Sequence, residues 1–207
     1  MRFHEPALHI TRGEAAVRAL LFALAIVLTA CSPESAHFNA TDVTGVDWGR
    51  DFHLADASGK PRQLADFKGK AVVIFFGYVQ CPDVCPTTMN KLHEVMKALG
   101  GEADRVQVLF VTLDPERDTP KLLAQYVPAF DARFLGLYGS LDATAAMAKD
   151  YRVFYQKRAG AKPGRYTIDH SAGLYIHDPQ GRLRLFVASD EDAAKIAADL
   201  RQLLAGH

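Results

Sequence analysis

The sequence predicts an α/β fold: a central mixed sheet covered by helices and entered through an N-terminal hairpin. Three observations support this. First, two apolar runs rich in β-branched and aromatic residues, Ala71 to Phe76 and Val106 to Leu113, are unbroken, as in strands buried on both faces. Second, each is followed by a stretch whose apolar residues recur every three or four positions, one face of a helix. Third, the chain closes with two more strand-like runs and an amphipathic end. Strand, helix, strand, helix, hairpin, helix is the order of a sheet with helices packed against it.

At 207 residues the chain can hold one ordinary domain with a sizeable core plus an appended segment. Its 24 basic and 24 acidic residues balance, so no bulk charge argues for nucleic acid or for a polybasic membrane patch. The appended segment is N-terminal. Arg2, Arg12 and Arg18 precede the apolar run Ala19 to Ala30, which has the length of a signal-peptide core and is short for a membrane span. The run ends Leu28-Thr-Ala-Cys31, which resembles a bacterial lipobox, where the cysteine becomes the lipidated first residue. The expected organisation is a signal peptide over residues 1–30, a flexible tether over 31–44 beginning at lipidated Cys31, and one domain over 45–207. The alternative is a short anchor or an ordinary cleaved signal, with Cys31 a bystander. Of three cysteines, Cys81 and Cys85 then remain in an exported domain, where a thiol pair is either a disulfide or a functional site.

The elements follow in order. Phe52 and Leu54, a turn at Ala57 to Lys60, then Leu64 and Phe67 read as the opening hairpin. Ala71 to Phe76 is the first central strand. After it come Cys81-Pro-Asp-Val-Cys85-Pro86 and a helix with Met89, Leu92, Val95, Met96 and Leu99 on one face, ending near Gly100-Gly101. Pro86 suits a first helical position, which places Cys85 at the N-cap. Val106 to Leu113 is the second buried strand. Asp118 or Thr119 can cap a helix starting at Pro120, whose inner face is Leu122, Leu123, Tyr126 and Val127. Phe134 to Tyr138 is a short strand, Ser140 or Asp142 caps a helix to about Lys149, and Tyr151 to Gln156 reads as strand. Ala159 to Tyr166 reads as an exposed loop. Ala172 to His177 and Leu183 to Val187 form a hairpin around Asp178-Pro-Gln-Gly181. A terminal helix starts at Asp190 or Glu191 with Ala194, Ile196, Ala197, Leu200, Leu203 and Leu204 inward.

The chemistry concentrates at the cysteines. A helix N-terminus favours an anion, so at least one thiol should ionise easily. Two thiolates four residues apart can form a disulfide or bind a soft metal. They match structural zinc poorly, because no second cysteine pair exists. Two thiolates and one imidazole suit copper better, and His53, His93, His170 and His177 are the candidates for the imidazole. Asp114, Glu116, Arg117 and Asp118 read as a solvated loop, with Asp118 a candidate cap. Tyr78, Phe75 and Phe76 read as core and rim.

Three segments in this order, GYVQCPDVCP (77–86), VTLDPERDTP (111–120) and YTIDHSAGLYI (166–176), resemble the Sco/SenC family of thioredoxin-fold copper proteins over roughly residues 45–205. The resemblance implies a thioredoxin-like fold with insertions. It implies copper, Cu(I) and/or Cu(II), on Cys81, Cys85 and His170, with the histidine in the Ile168-Asp-His170 segment. It adds partner docking or site tuning by Asp114, Arg117 and Asp118. It further implies a metallochaperone rather than an enzyme with turnover, lipid-anchored at the periplasmic face of the bacterial inner membrane. Such a protein would deliver copper to the dinuclear copper centre of cytochrome c oxidase subunit II, with another periplasmic copper chaperone or a thioredoxin-like reductant among its partners. The competing expectation is a thiol–disulfide oxidoreductase cycling Cys81 and Cys85 to reduce the acceptor's cysteines. CxxxC departs from the usual redox spacing. A peroxidase would need an activating Thr and Arg around one cysteine, and these cannot be assigned.

Overall fold

The computed structural model describes residues 37–160 and 165–207. The expected signal peptide and Cys31 lie outside the described residues. The described residues form ten strands: β1 (Thr41–Asp42), β2 (Leu54–Asp56), β3 (Pro61–Arg62), β4 (Ala71–Gly77), β5 (Val106–Thr112), β6 (Leu135–Tyr138), β7 (Tyr155–Ala159), β8 (Tyr166–His170), β9 (Leu174–His177) and β10 (Leu183–Val187). The helices are α1 (Val84–Leu99), α2 (Pro120–Tyr126), α3 (Leu141–Asp150) and α4 (Ala193–Ala205). Eight strands form one sheet in the order β1-β10-β9-β4-β5-β6-β2-β3. β4, β5 and β6 are parallel; β9 runs antiparallel to β4, and β2 to β6. This is the expected mixed sheet covered by helices.

β4 shows why the sequence builds it. All seven of its residues are buried, and they alternate between two cores. Ala71, Val73 and Phe75 face α1 and α4; Val72, Ile74 and Phe76 face α3 and the short turn Leu64–Phe67. A strand covered on both faces needs no polar alternation. Burying each large side chain contributes about 1.5–3 kcal/mol, so β4 is a firm base for the loop that follows it.

Several local details differ from expectation. α1 begins at Val84 with Asp83 before it, so Cys85 and Pro86 lie inside the first turn rather than at the cap and first position. Proline is tolerated throughout that turn, because its N–H groups have no intrahelical acceptor. Thr119, not Asp118, caps α2 by accepting the Leu122 N–H at 3.2 Å. Ser140 caps α3. Tyr151, itself fully buried, caps the end of α3, and the expected strand starts only at Tyr155. The expected loop over Ala159 to Tyr166 is shorter, because β7 and β8 pair antiparallel, from Tyr155↔His170 to Ala159↔Tyr166, as a separate two-stranded ribbon. His170 therefore ends a strand.

At the chain's flank, Ala194 is exposed and Asp199 takes an inner position on α4. The Asp199 carboxylate accepts the backbone N–H groups of Asn39 and Ala40 and the Asn39 side-chain amide, all at 2.8–2.9 Å. β1 then pairs with β10. The folded unit thus includes residues expected to belong to the tether over 31–44.

Candidate metal centre

The carboxyl ends of β4 and β5 meet side by side, with Gly77 opposite Thr112. Ligands of open α/β sheets bind at such an edge. The loop after β4 carries Cys81, and the first turn of α1 carries Cys85. Cys85 is fully buried and Cys81 half-buried. Gly77 makes room for the inner sulfur: a Cβ there would stand 2.9 Å from Cys85 Sγ and 2.9 Å from the Phe110 ring. The Cys85 backbone N–H points at Cys81 Sγ at 3.4 Å.

His170 arrives from the ribbon. Its ring lies in an aromatic corner, edge-on to Tyr78 at 6.0 Å and tilted against Phe75 at 6.2 Å. Nδ1 is 2.9 Å from the Ser171 carbonyl oxygen. That oxygen can only accept, so Nδ1 carries the proton and Nε2 is left with a free lone pair. Nε2 lies 3.5 Å from Cys85 Sγ. The two sulfurs and one imidazole nitrogen all fall within 4.8 Å of one another, beside a cleft of about 390 Å³ lined by Cys81, Pro82–Val84 and His170.

The sulfurs are electrostatically unequal. A hydrogen bond from the Cys85 thiol, followed in weight by the opposing effect of burial and the further lowering by His170 and the Asp83 and Cys85 backbone N–H groups, brings the Cys81 thiol down to about 3. Cys85 moves far upward, because its protonated form is favoured by the neighbouring Cys81 sulfur and by burial. The outer sulfur is therefore the more readily ionised of the two.

The remaining candidates separate cleanly. His53 is exposed near Asp51, and His93 on α1 is partly exposed with Nδ1 3.7 Å from Asp131. His177, expected just before a surface turn, is fully buried. None of these three joins the cysteines. Asp114 and Asp118, expected in a solvated loop, are each 1% exposed. The Asp118 carboxylate accepts the Val79 N–H at 3.0 Å and the Thr112 hydroxyl at 2.6 Å, tying the cysteine loop to β5; burial raises its pKa. Asp114 accepts from the Tyr166 hydroxyl at 2.7 Å and pairs with Arg117. Both are buried because the ribbon and the cysteine loop close over them, which are long-range partners a local sequence window does not contain. Tyr78 is more than core: its hydroxyl accepts the Ile168 N–H at 3.1 Å.

A sequence model of the SCO1/SenC family matches residues 41–205. The chain belongs to the SCO1/SenC family. Within it, the SCO2 homolog of mouse mitochondria is 38% identical over 157 residues, covering 75% of this chain and 62% of that protein. The SCO2-like protein of Rickettsia felis is 32% identical over 163 residues, covering 77% of this chain and 80% of the relative. The chain spans about three fifths of the length of the mammalian mitochondrial relatives it matches. Among solved structures, Bradyrhizobium japonicum ScoI with copper bound superposes with a TM-score of 0.70 at 39% identity, covering 76% of this chain and 99% of that one. The fold shared with these Sco structures is thioredoxin-like.

Proposed function

We propose that this protein is a copper metallochaperone that carries copper on Cys81, Cys85 and His170. The observation behind this reading is the convergence of two sulfurs and one imidazole nitrogen within 4.8 Å. Soft sulfur favours Cu(I), and the imidazole extends the set to Cu(II). Zinc would want a fourth protein ligand for a closed structural site. Three donors leave a coordination position open to an incoming ligand, and the half-exposed Cys81 is the donor such a ligand meets first. The copper-bound state of the similar ScoI structure supports the reading. The cargo's destination is the dinuclear copper centre of cytochrome c oxidase subunit II, and the protein acts from the periplasmic face of the inner membrane, held by lipid on Cys31. Another periplasmic copper chaperone or a thioredoxin-like reductant would prepare it for loading. Among the described residues, no helix is long and apolar enough to cross a membrane.

Anaerobic copper titration of the reduced protein tests the core of this reading. One copper per chain is expected, and tight binding should vanish in both Cys81→Ser and Cys85→Ser; stoichiometric tight binding by the double serine variant would refute it. For the anchor, intact-mass analysis should find a mature chain beginning at acylated Cys31, and an unmodified Cys31 or a retained Met1 contradicts it.

A second reading rests on the unequal sulfurs. A thiolate at Cys81 beside a protonated Cys85 is also the starting state of a thiol–disulfide oxidoreductase. His170→Ala separates the two. Copper delivery should fail in that variant, shown by loss of oxidase assembly at limiting copper, while thiol exchange should largely persist. Full oxidase activity at low copper would remove His170 from the ligand set.

A further inference from the structure

His170 belongs to a ribbon that pairs with no strand of the main sheet, whereas both cysteines hang from β4 and α1. Something must hold these two bodies in register. Ile168 supplies part of the hold, by packing into the core and donating its N–H to Tyr78. The other end of β8 is held to the loop after β5 by a cluster centred on Arg117, beside an exposed Lys157–Glu116 pair. Arg117 lies in the loop after β5, with its side chain 20% exposed. Its Nε donates to Asp114. Its Nη1 donates to the Tyr166 carbonyl oxygen at 2.9 Å and reaches the Gln80 side-chain oxygen at 3.3 Å. Its guanidinium carbon stands 3.5 Å from the centre of the Tyr166 ring, and the Tyr166 hydroxyl returns to Asp114 at 2.7 Å.

Arg117 thus touches the cysteine loop through Gln80, the loop after β5 through Asp114, and the ribbon through Tyr166. A planar guanidinium can stack on a ring and donate in its own plane at the same time, which a lysine ammonium cannot. We propose that Arg117 is a positioning residue: it clasps the ribbon to the cysteine loop and so sets the distance between the His170 imidazole and the two sulfurs. This rests on the metal-site reading above, but the clasp itself is a property of the metal-free protein.

The test pairs a metal-free with a metal-bound measurement on the full chain. Hydrogen exchange followed by mass spectrometry of the reduced, copper-free protein should show β7 and β8 of Arg117→Gln exchanging about tenfold faster, with β4 and β5 unchanged, since the lost bonds act locally. Arg117→Lys keeps the charge but not the plane, and should recover less than half of the protection. Tyr166→Phe keeps the ring and loses only the hydroxyl, so its effect should be smaller than that of Arg117→Gln. In the Cu(II)-loaded protein, the imidazole-nitrogen splitting in the electron paramagnetic resonance spectrum should weaken in Arg117→Gln toward that of His170→Ala, while the sulfur-to-copper charge-transfer band persists. Unchanged exchange of β7 and β8, an equal rise across β4 and β5, or full protection in Arg117→Lys would each overturn the clasp. Wild-type protein lacking a nitrogen signal would overturn the metal reading instead, leaving the exchange comparison to decide the role of Arg117.

Discussion

Tyr151 Oη stands 3.0 Å from His177 Nε2, and neither side chain has any exposure to solvent. His177 Nδ1 faces the Gly181 carbonyl oxygen at 3.3 Å. Both ring nitrogens of a neutral imidazole are therefore satisfied: Nδ1–H donates to Gly181 and Nε2 accepts from Tyr151. A proton on Nε2 would face a hydroxyl already donating to it, in a fully buried site.

Stability should accordingly depend on this pair at acid pH. Burial lowers the His177 pKa from 6.5 to about 4, against a raising by the Gly181 carbonyl and by Asp178 and Asp51. The unfolded chain therefore takes the proton before the folded one does. The contribution is fully present at pH 7, falls as pH drops through 6.5 towards 4, and amounts to a loss on the order of 3 kcal/mol. Urea unfolding between pH 7 and pH 4 checks this by comparing wild type with the double variant His177→Leu/Tyr151→Phe. The variant should show a flatter slope across that window; equal slopes would show that His177 is not responsible.

The two thiols should react as unequally as they are placed. Cys81 should alkylate with iodoacetamide at pH 6, well below the ordinary thiol range of about 8.5. Cys85 should stay unlabelled until the protein unfolds, being fully buried, with its pKa raised by burial and by the Cys81 sulfur. Peptide mapping after timed labelling distinguishes them, and equal labelling rates in the native protein would count against the arrangement.

Gly77→Ala should damage the centre from beneath. A Cβ 2.9 Å from both Cys85 Sγ and the Phe110 ring must displace one of them, and overpacking of this kind costs about 1–3 kcal/mol. Denaturant titration should show the loss of stability, and competition with a Cu(I) chelator should show weaker copper binding. Wild-type values in both would mean the sulfur has room to move.

Removing the Asp118 carboxylate should loosen the cysteine loop. Asp118→Ala leaves the Val79 N–H and the Thr112 hydroxyl buried without their acceptor, a loss of about 1–3 kcal/mol each at most. Asp118→Asn keeps one acceptor oxygen and should lose less. The ordering of the two variants in urea midpoint is the check; an Ala variant as stable as the Asn variant would show the carboxylate to be dispensable.

Much of the architecture could be read from the chain, and the exceptions share a cause. β4 and β5 announce themselves because strands buried on both faces are continuously apolar, and the turn after β4 places both sulfurs at the sheet's carboxyl edge. The β7–β8 ribbon is silent for the opposite reason. Four of the five residues of β7 are exposed and Lys157 and Arg158 are charged, so no hydrophobic alternation marks it. Asp114, Asp118 and His177 looked like surface groups because their partners, Tyr166, Val79 and Tyr151, are 26 to 52 residues away. The meeting of His170 with the cysteines was legible only from three motifs in order, not from any single one. Gly77 carried a weak signal, a glycine closing an apolar run just before a cysteine pair.

The Asp199 clamp also determines where mechanical load enters the domain. A pull on the chain from its N-terminal side reaches three hydrogen bonds at Asn39 and Ala40, then a two-residue edge strand. Both lie on the sheet's margin, with β10 and β9 between them and β4. Such a margin yields one bond at a time, so tension would peel β1 away before it strained the central strands. A pull from that side would free a few residues while the sulfurs and imidazole kept their spacing.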